Sequence, residues 1–244
     1  MRNVKLVISY DGTDFSGWQT QPGKRTVQET LEQAIASVTG EKVVCNASGR
    51  TDAGVHAIGQ VVNFHTRSAL PTTTLLRALN ARLPEDIVVR HVADVAEDFD
   101  ACRHARSKRY RYIFHDGPLR DVFFRRYAWH VWCRLDVGAM QQGAQVLLGT
   151  HDFRSFETDW PNRVSSVRTI TDLVLTRRGD TVWLELEADG FLYNMARAIA
   201  GTLFQVGRGY WPAEEVPRIV AARDRRRAGP TAPARGLYLL CVRY

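Results

Sequence analysis

Ser48-Gly49-Arg50-Thr51-Asp52-Ala53-Gly54-Val55-His56-Ala57 lies between two apolar runs, Lys42-Val43-Val44-Cys45 before it and residues 58–64 after it. Both runs have the length and composition of strands, and a two-residue turn is enough to join two strands. Here the chain spends about ten residues, with glycines at 49 and 54. Glycine lets the backbone take positive φ or approach a ligand closely. The loop presents one carboxylate, Asp52, with the Arg50 guanidinium two residues before it. A neighbouring guanidinium favours the charged form of a carboxylate, and a charged carboxylate can act as nucleophile or base. Thr51-Asp52-Ala53-Gly54 also has the composition of an ordinary type I turn. The loop alone does not choose between the two.

At 244 residues the chain is one large domain or two modest ones. Hydrophobic residues at 45% and charged residues at 24% are ordinary for a soluble globular protein. Lys+Arg 33 against Asp+Glu 26 leaves a formal charge of +7, and arginine greatly outnumbers lysine. Arginine makes bidentate contacts with phosphate, so a nucleic-acid partner is one implication and a merely solvated surface the other. The cysteines at 45, 102, 133 and 241 form no C-x-x-C pair and lack the histidine spacing of a zinc site. They read as reduced thiols. With a strand-like start at Val4-Lys5-Leu6-Val7-Ile8 and no apolar run of membrane-spanning length, the chain is expected to be soluble and cytoplasmic, with no membrane partner.

Residues 3–10 alternate as a strand, closed by Tyr10-Asp11-Gly12-Thr13. After a loop carrying Phe15, Trp18 and Gln19, Thr26 and Glu29 have capping-box spacing. Val27, Leu31, Ala34, Ile35 and Val38 then share a helical face that Gly40 stops. Strands on either side of the Asp52 loop, a helix at 72–82 and a strand at 87–92 complete a β-α-β-β-α-β order. The second half follows a similar order: a strand at 107–115, a helix at 137–148, and strands at 167–176 and 181–188 joined by Arg178-Gly179-Asp180. Helices at 191–206 and 213–222 and a strand at 236–242 finish it. These elements predict an α+β protein of two halves, 1–104 and 105–244. The halves are expected to share a continuous mixed or antiparallel sheet flanked by helices, with a central catalytic cleft.

Residues 103–126 hold Arg103, Arg106, Lys108, Arg109, Arg111, Arg120, Arg125 and Arg126 against Asp116 and Asp121. In the 107–115 strand Arg109, Arg111 and Ile113 share one face, and Tyr110, Tyr112 and Phe114 the other. Such a strand meets both needs of RNA binding, phosphate neutralisation and base stacking. It also fits a sheet with an aromatic core face and a solvated basic face. Tyr112 and Phe114 read as core; Tyr110, nearest the strand's start, is expected to be exposed at a cleft. Arg223, Arg225, Arg226 and Arg227 read as a solvated helix end. Arg197 sits beside the stripe Phe191, Met195, Ile199 and Leu203, so it lies near buried surface and calls for an acidic partner, Asp52 or an ordinary structural one.

The 48–57 loop resembles the catalytic loop of the tRNA pseudouridine synthase A family, and the likeness runs through the chain. It includes Tyr10-Asp11-Gly12-Thr13-Asp14-Phe15-Ser16-Gly17-Trp18-Gln19, Thr26-Val27-Gln28 and Lys108-Arg109-Tyr110-Arg111-Tyr112. It continues in Asp152-Phe153-Arg154-Ser155-Phe156, Gly190-Phe191-Leu192-Tyr193-Asn194-Met195-Ala196-Arg197 and Ala232-Pro233-Ala234-Arg235-Gly236-Leu237-Tyr238. Several motifs in the right order are far more specific than any one. Ala101-Cys102-Arg103-His104-Ala105 departs from the family's Ala-Arg-Phe-Ser-Ala by displacing the arginine one place, and no RNA contact is assigned there.

The resemblance implies isomerisation of uridine to pseudouridine at positions 38 to 40 of the tRNA anticodon stem-loop, by a homodimer with no cofactor or metal. It assigns the essential carboxylate to Asp52, which attacks the ribose C1′, adds to the pyrimidine C6 or acts as a base at the ribose. It assigns Tyr110 to stacking on the target base, and Arg50 and Arg197 to binding substrate and orienting Asp52. Extruding a base costs a few kcal/mol, and stacking on an aromatic ring returns about 1–3 kcal/mol, so one tyrosine can largely offset it. Two other readings share the surface: a non-catalytic RNA-binding protein on the same scaffold, which would not need Asp52, and a hydrolase in which Asp52 activates water. Neither a P-loop nor a dinucleotide fingerprint is present.

Overall fold

The computed structural model describes residues 1–158 and 164–244. They form two compact units, Met1–Arg106 with Tyr238–Tyr244, and Ser107–Leu237. The fold class is α+β.

The first unit runs β1 (Arg2–Tyr10), α1 (Val27–Thr39), β2 (Asn46–Ala47), β3 (His56–Thr66), α2 (Thr72–Asn80) and β4 (Ile87–Val95). Alternation in β1 buries Val4, Leu6, Ile8 and Tyr10. Antiparallel pairing sets Val4 opposite Phe64 and Leu6 opposite Val62 on β3. Burying each such side chain contributes about 1.5–3 kcal/mol. The α1 face is the one its spacing predicts, with Val27, Leu31, Ala34 and Ile35 buried. Thr26 caps it by accepting from the Glu29 N–H, and Gly40 at φ 75 ends it.

The second unit runs β5 (Ser107–His115), β6 (Trp129–His130), α3 (Val137–Gln145), β7 (Gly149–Asp152), β8 (Val167–Arg178), β9 (Thr181–Ala188), α4 (Met195–Gly207) and α5 (Glu215–Ala222). Its sheet order is β5-β9-β8-β7, antiparallel throughout, with β6 parallel to β5. The last strand, β10 (Leu237–Arg243), pairs in parallel with β3 through Tyr238 and Leu239. That gives the first unit the order β4-β1-β3-β10, and β3, interior to it, is buried along almost its whole length.

Two predicted elements differ. No strand forms at 42–45: Val44 is 78% exposed, and the Cys45 N–H donates to the Glu32 carboxylate instead of a neighbouring strand. Pairing begins at Asn46. The helix predicted at 191–206 starts at Met195, because Asn194 adopts a left-handed φ of 63. The backbone of the run 228–234 packs directly on α4, where a Cβ on Gly201 would meet the Pro230 carbonyl oxygen at 1.7 Å. All four cysteines are free, and burial pushes the Cys45 thiol well up.

Candidate active site

The loop between β2 and β3 is held at both ends and presents Asp52 at its crest. At its start the Ser48 N–H donates to Val61 O (2.8 Å). The Ser48 hydroxyl donates to Gln60 Oε1 (2.6 Å), and Gln60 Nε2 donates to Gly49 O (2.8 Å). Thr51 O accepts from the Trp18 N–H at 3.0 Å, and the Thr51 hydroxyl bonds the Tyr10 phenol at 2.7 Å. Asp52 O then accepts from the Val55 N–H at 3.1 Å. Gly54, third in that turn, has φ 78, the value a type II turn requires there; the turn lies one residue on from Thr51–Gly54, which had the composition of a type I turn. At its end His56 is buried and stacked on Tyr238, with centroids 4.8 Å apart. The loop is therefore a turn and also a presentation device. Thr51 and Val55 are anchored in the core, Asp52 between them is half-buried, and Arg50 is exposed.

The segment 11–19 braces this loop from beneath. Gly17 has φ 88, and a Cβ there would lie 2.8 Å from Thr51 O, so only glycine lets the two backbones pack this closely. Burial pushes the Tyr10 phenol up to about 12, opposed by its hydrogen bonds to Thr51 and Gln60. It remains an uncharged hydroxyl through neutral pH. Tyr10 and Gln60 are site residues that sequence reasoning missed. The available signal was a glutamine amid the apolar residues 57–62.

Tyr110 and Arg197 lie in the second unit. Tyr110, expected to be exposed, is 7% exposed and meets the Phe191 ring edge-on at 4.7 Å. The turn ahead of α4 carries that phenylalanine onto it. Arg197, in the first turn of α4, is half-buried. Its Nε donates to Ala232 O (2.7 Å) and its Nη1 to Asn194 Oδ1 (2.9 Å), while Arg197 O accepts from the Ala232 N–H (3.1 Å). The docked 228–234 run thus holds this side chain in place. Arg50 and Asp52 share one loop of the first unit, and Tyr110 and Arg197 belong to the second.

The sequence model of a family described as tRNA pseudouridine synthase matches residues 6–102 and 144–244. The chain belongs to the tRNA pseudouridine synthase family. It is 49% identical over the full length of both chains to the tRNA pseudouridine synthase A of Acetivibrio thermocellus. Identity to the proteins of that name from Brevibacillus brevis and Thermoanaerobacter sp. is 48% and 45%, also over full lengths. Among solved structures, a chain in a crystal structure of a Cbf5-Nop10-Gar1 complex is similar at 12% identity and a TM-score of 0.34. The match takes in 82% of this chain and 54% of that one, a likeness too distant to bear on the site.

As a pseudouridine synthase the protein is an isomerase acting on tRNA, and its basic strand requires a correction. The arginine face of β5 is not a solvated face open to phosphate. Arg111 Nη2 lies 2.6 Å from Glu185 Oε1, and Arg109 reaches Glu185 (2.9 Å), Asp172 (2.7 Å) and Glu187 (3.4 Å). Burial pushes Glu185 up, but hydrogen bonds from Arg111 and Arg109 outweigh it and hold the carboxyl below its ordinary range. Trp183 lies between two guanidiniums, Arg111 at 4.0 Å and Arg178 at 4.1 Å. In the other basic run Arg223, Arg226 and Arg227 are exposed, as a solvated helix end requires; Arg226 pairs with Asp224, Arg223 with Asp152, and Arg225 donates to Gly229 O and Thr231 Oγ1. Among the described residues no group of three or more His, Cys, Asp or Glu side chains could hold a metal ion.

Proposed function

We propose that this synthase isomerises uridines 38 to 40 in the anticodon stem-loop of cytoplasmic tRNA, with Asp52 as the essential carboxylate. The reaction breaks the bond between ribose C1′ and uracil N1 and makes one between C1′ and C5. C5 loses a proton, N1 gains one, and no oxidant or cosubstrate enters. A carboxylate close to C1′ and a means of holding the detached base are all it demands. The observation that carries the reading is Asp52 itself, half-buried at the crest of a loop anchored on both sides, in a chain of this family. Arg50, exposed on the same loop, and Arg197, pre-oriented by Ala232 and Asn194, are the substrate-binding arginines. Tyr110 is the stacking platform. With 7% of its surface open, it serves only if RNA entry uncovers one ring face. The test is tritium release from stem-loops labelled at C5 of a single uridine, at position 38, 39 or 40 in turn. Release is expected from each with the wild type and from none with Asp52→Asn.

The active species is a pair of identical chains. The segment 117–132 leaves Leu119, Val122, Phe123 and Trp132 between 66% and 83% exposed, and apolar clusters of this kind mark interfaces. Arg120, stacked on Trp132 at 4.8 Å, and Asp121 lie in the same segment. A two-fold contact would set each opposite its complement, as a self-facing patch requires.

A further inference from the structure

The structure assigns Tyr10, Thr51 and Gln60 as positioning residues that set where the Asp52 carboxylate stands during the reaction; the assignment rests on the reading of Asp52 above. Gln60 is wholly buried, and Tyr10 and Thr51 are 4% and 7% exposed. The Gln60 amide accepts from the Ser48 hydroxyl, donates to Gly49 O and is a partner of the Tyr10 phenol. The phenol in turn holds the Thr51 hydroxyl at 2.7 Å, one residue from Asp52. One continuous set of buried hydrogen bonds thus ties both flanks of Arg50 to a single strand. Arg50 itself is exposed.

A second feature of the backbone serves the same end. Ile8 pairs with Gln60, but Tyr10 pairs with Ala57 rather than with Ile58, so β3 carries one extra residue at this point. A bulge bends a strand and re-aims side chains, and bulges gather beside active sites. Unbroken pairing would set Tyr10 opposite Ile58. The bulge brings it one residue further along β3, toward the loop, where its hydroxyl meets Thr51. A core tyrosine needs only some acceptor for its hydroxyl. Taking that hydrogen-bond partner from the residue before the proposed carboxylate couples the packing of β1 to the chemistry.

Misplacement by about 1 Å from a remote change can cost about 100-fold in rate. A lost positioning bond should therefore lower kcat and leave RNA binding alone. The test is a double-mutant cycle on the intact protein with Tyr10→Phe, Thr51→Val and the pair, together with Thr51→Ser and Asp52→Asn. Each single variant is expected to lower kcat at least about ten-fold, with KM for the stem-loop and the melting temperature little changed. The double variant should be no slower than the slower single, because both remove the same bond. Thr51→Ser, which keeps a hydroxyl, should restore most of what Thr51→Val loses. If valine at 51 is not tolerated, Thr51→Ala carries the same cycle. Wild-type kcat in the singles, or losses that multiply in the double, or a loss that follows melting temperature, would overturn the assignment. Those results beside an inactive Asp52→Asn would overturn the positioning role alone. An active Asp52→Asn would overturn the reading of Asp52 and this assignment with it.

Discussion

Asp52 and Asp116 each lie within two residues of a glycine, and their surroundings differ. Asp116 precedes Gly117 and is buried. Arg177 reaches its carboxylate at 2.9 Å and Arg134 at 3.3 Å, and the Leu135 N–H donates to it at 3.0 Å. Burial pushes this carboxyl up, but Arg177 and the Leu135 N–H outweigh it and hold it below its ordinary value of 3.8. A depressed folded-state value means that the unfolded chain takes up the proton more readily, so stability rises with pH there. The contribution should be complete at neutral pH and fade as pH falls below 3.8. Asp116→Asn should cost about 2 kcal/mol at pH 7, and urea unfolding should show the gap to wild type shrinking at pH 3. Asp52 is half-buried on a loop that its neighbours hold. From sequence the two sites look alike, an aspartate near a glycine beside arginines. Asp116 meets Arg177, 61 residues away in the chain, and that pairing leaves no local trace in the sequence.

Strand β5 shows which part of an element can be read from its residues. Its alternation correctly divides an aromatic core face from an arginine face, and Tyr112 and Phe114 are fully buried as expected. The partners of the arginines could not be read: Glu185 lies 74 residues from Arg111 and becomes its neighbour only through β5–β9 pairing. Trp183, Glu185 and Glu187 alternate visibly along β9, but nothing in the sequence says which strand that face will meet. Arg109→Ala and Arg111→Ala should therefore lower stability by about 1 kcal/mol or more each. The salt slope of RNA binding should stay unchanged, because a lost phosphate contact would reduce it. Measuring affinity across a salt series separates the two effects. Elements with long periodicity, such as α1, were legible to within a residue. The two-residue β6 and four-residue β7 were not, being too short to show a period. Tyr110 was misjudged because its cover, Phe191, comes from a turn that the periodicity had assigned to a helix.

For the molecule as a whole, the order of motifs along the chain makes the family legible, since each motif needs its own place in a long chain. The proposed surface for association of copies is less legible, because a run such as Leu119, Val122 and Phe123 reads equally as core or interface until its exposure is known. Phe123, at 83% exposed, contributes nothing evident to the fold of a single chain. Phe123→Asp should leave the melting temperature of the isolated chain near that of the wild type and shift sedimentation from dimer toward monomer at micromolar concentration. An unchanged dimer would remove the 117–132 segment from the interface. The claim on which the rest depends is that Asp52 is the carboxylate of the isomerisation. Its most direct test is tritium release from a C5-labelled anticodon stem-loop by wild type and Asp52→Asn, with RNA binding measured alongside. Release by the wild type, and none by an Asp52→Asn variant that binds RNA as tightly, is the predicted result; equal release by the two would contradict the account.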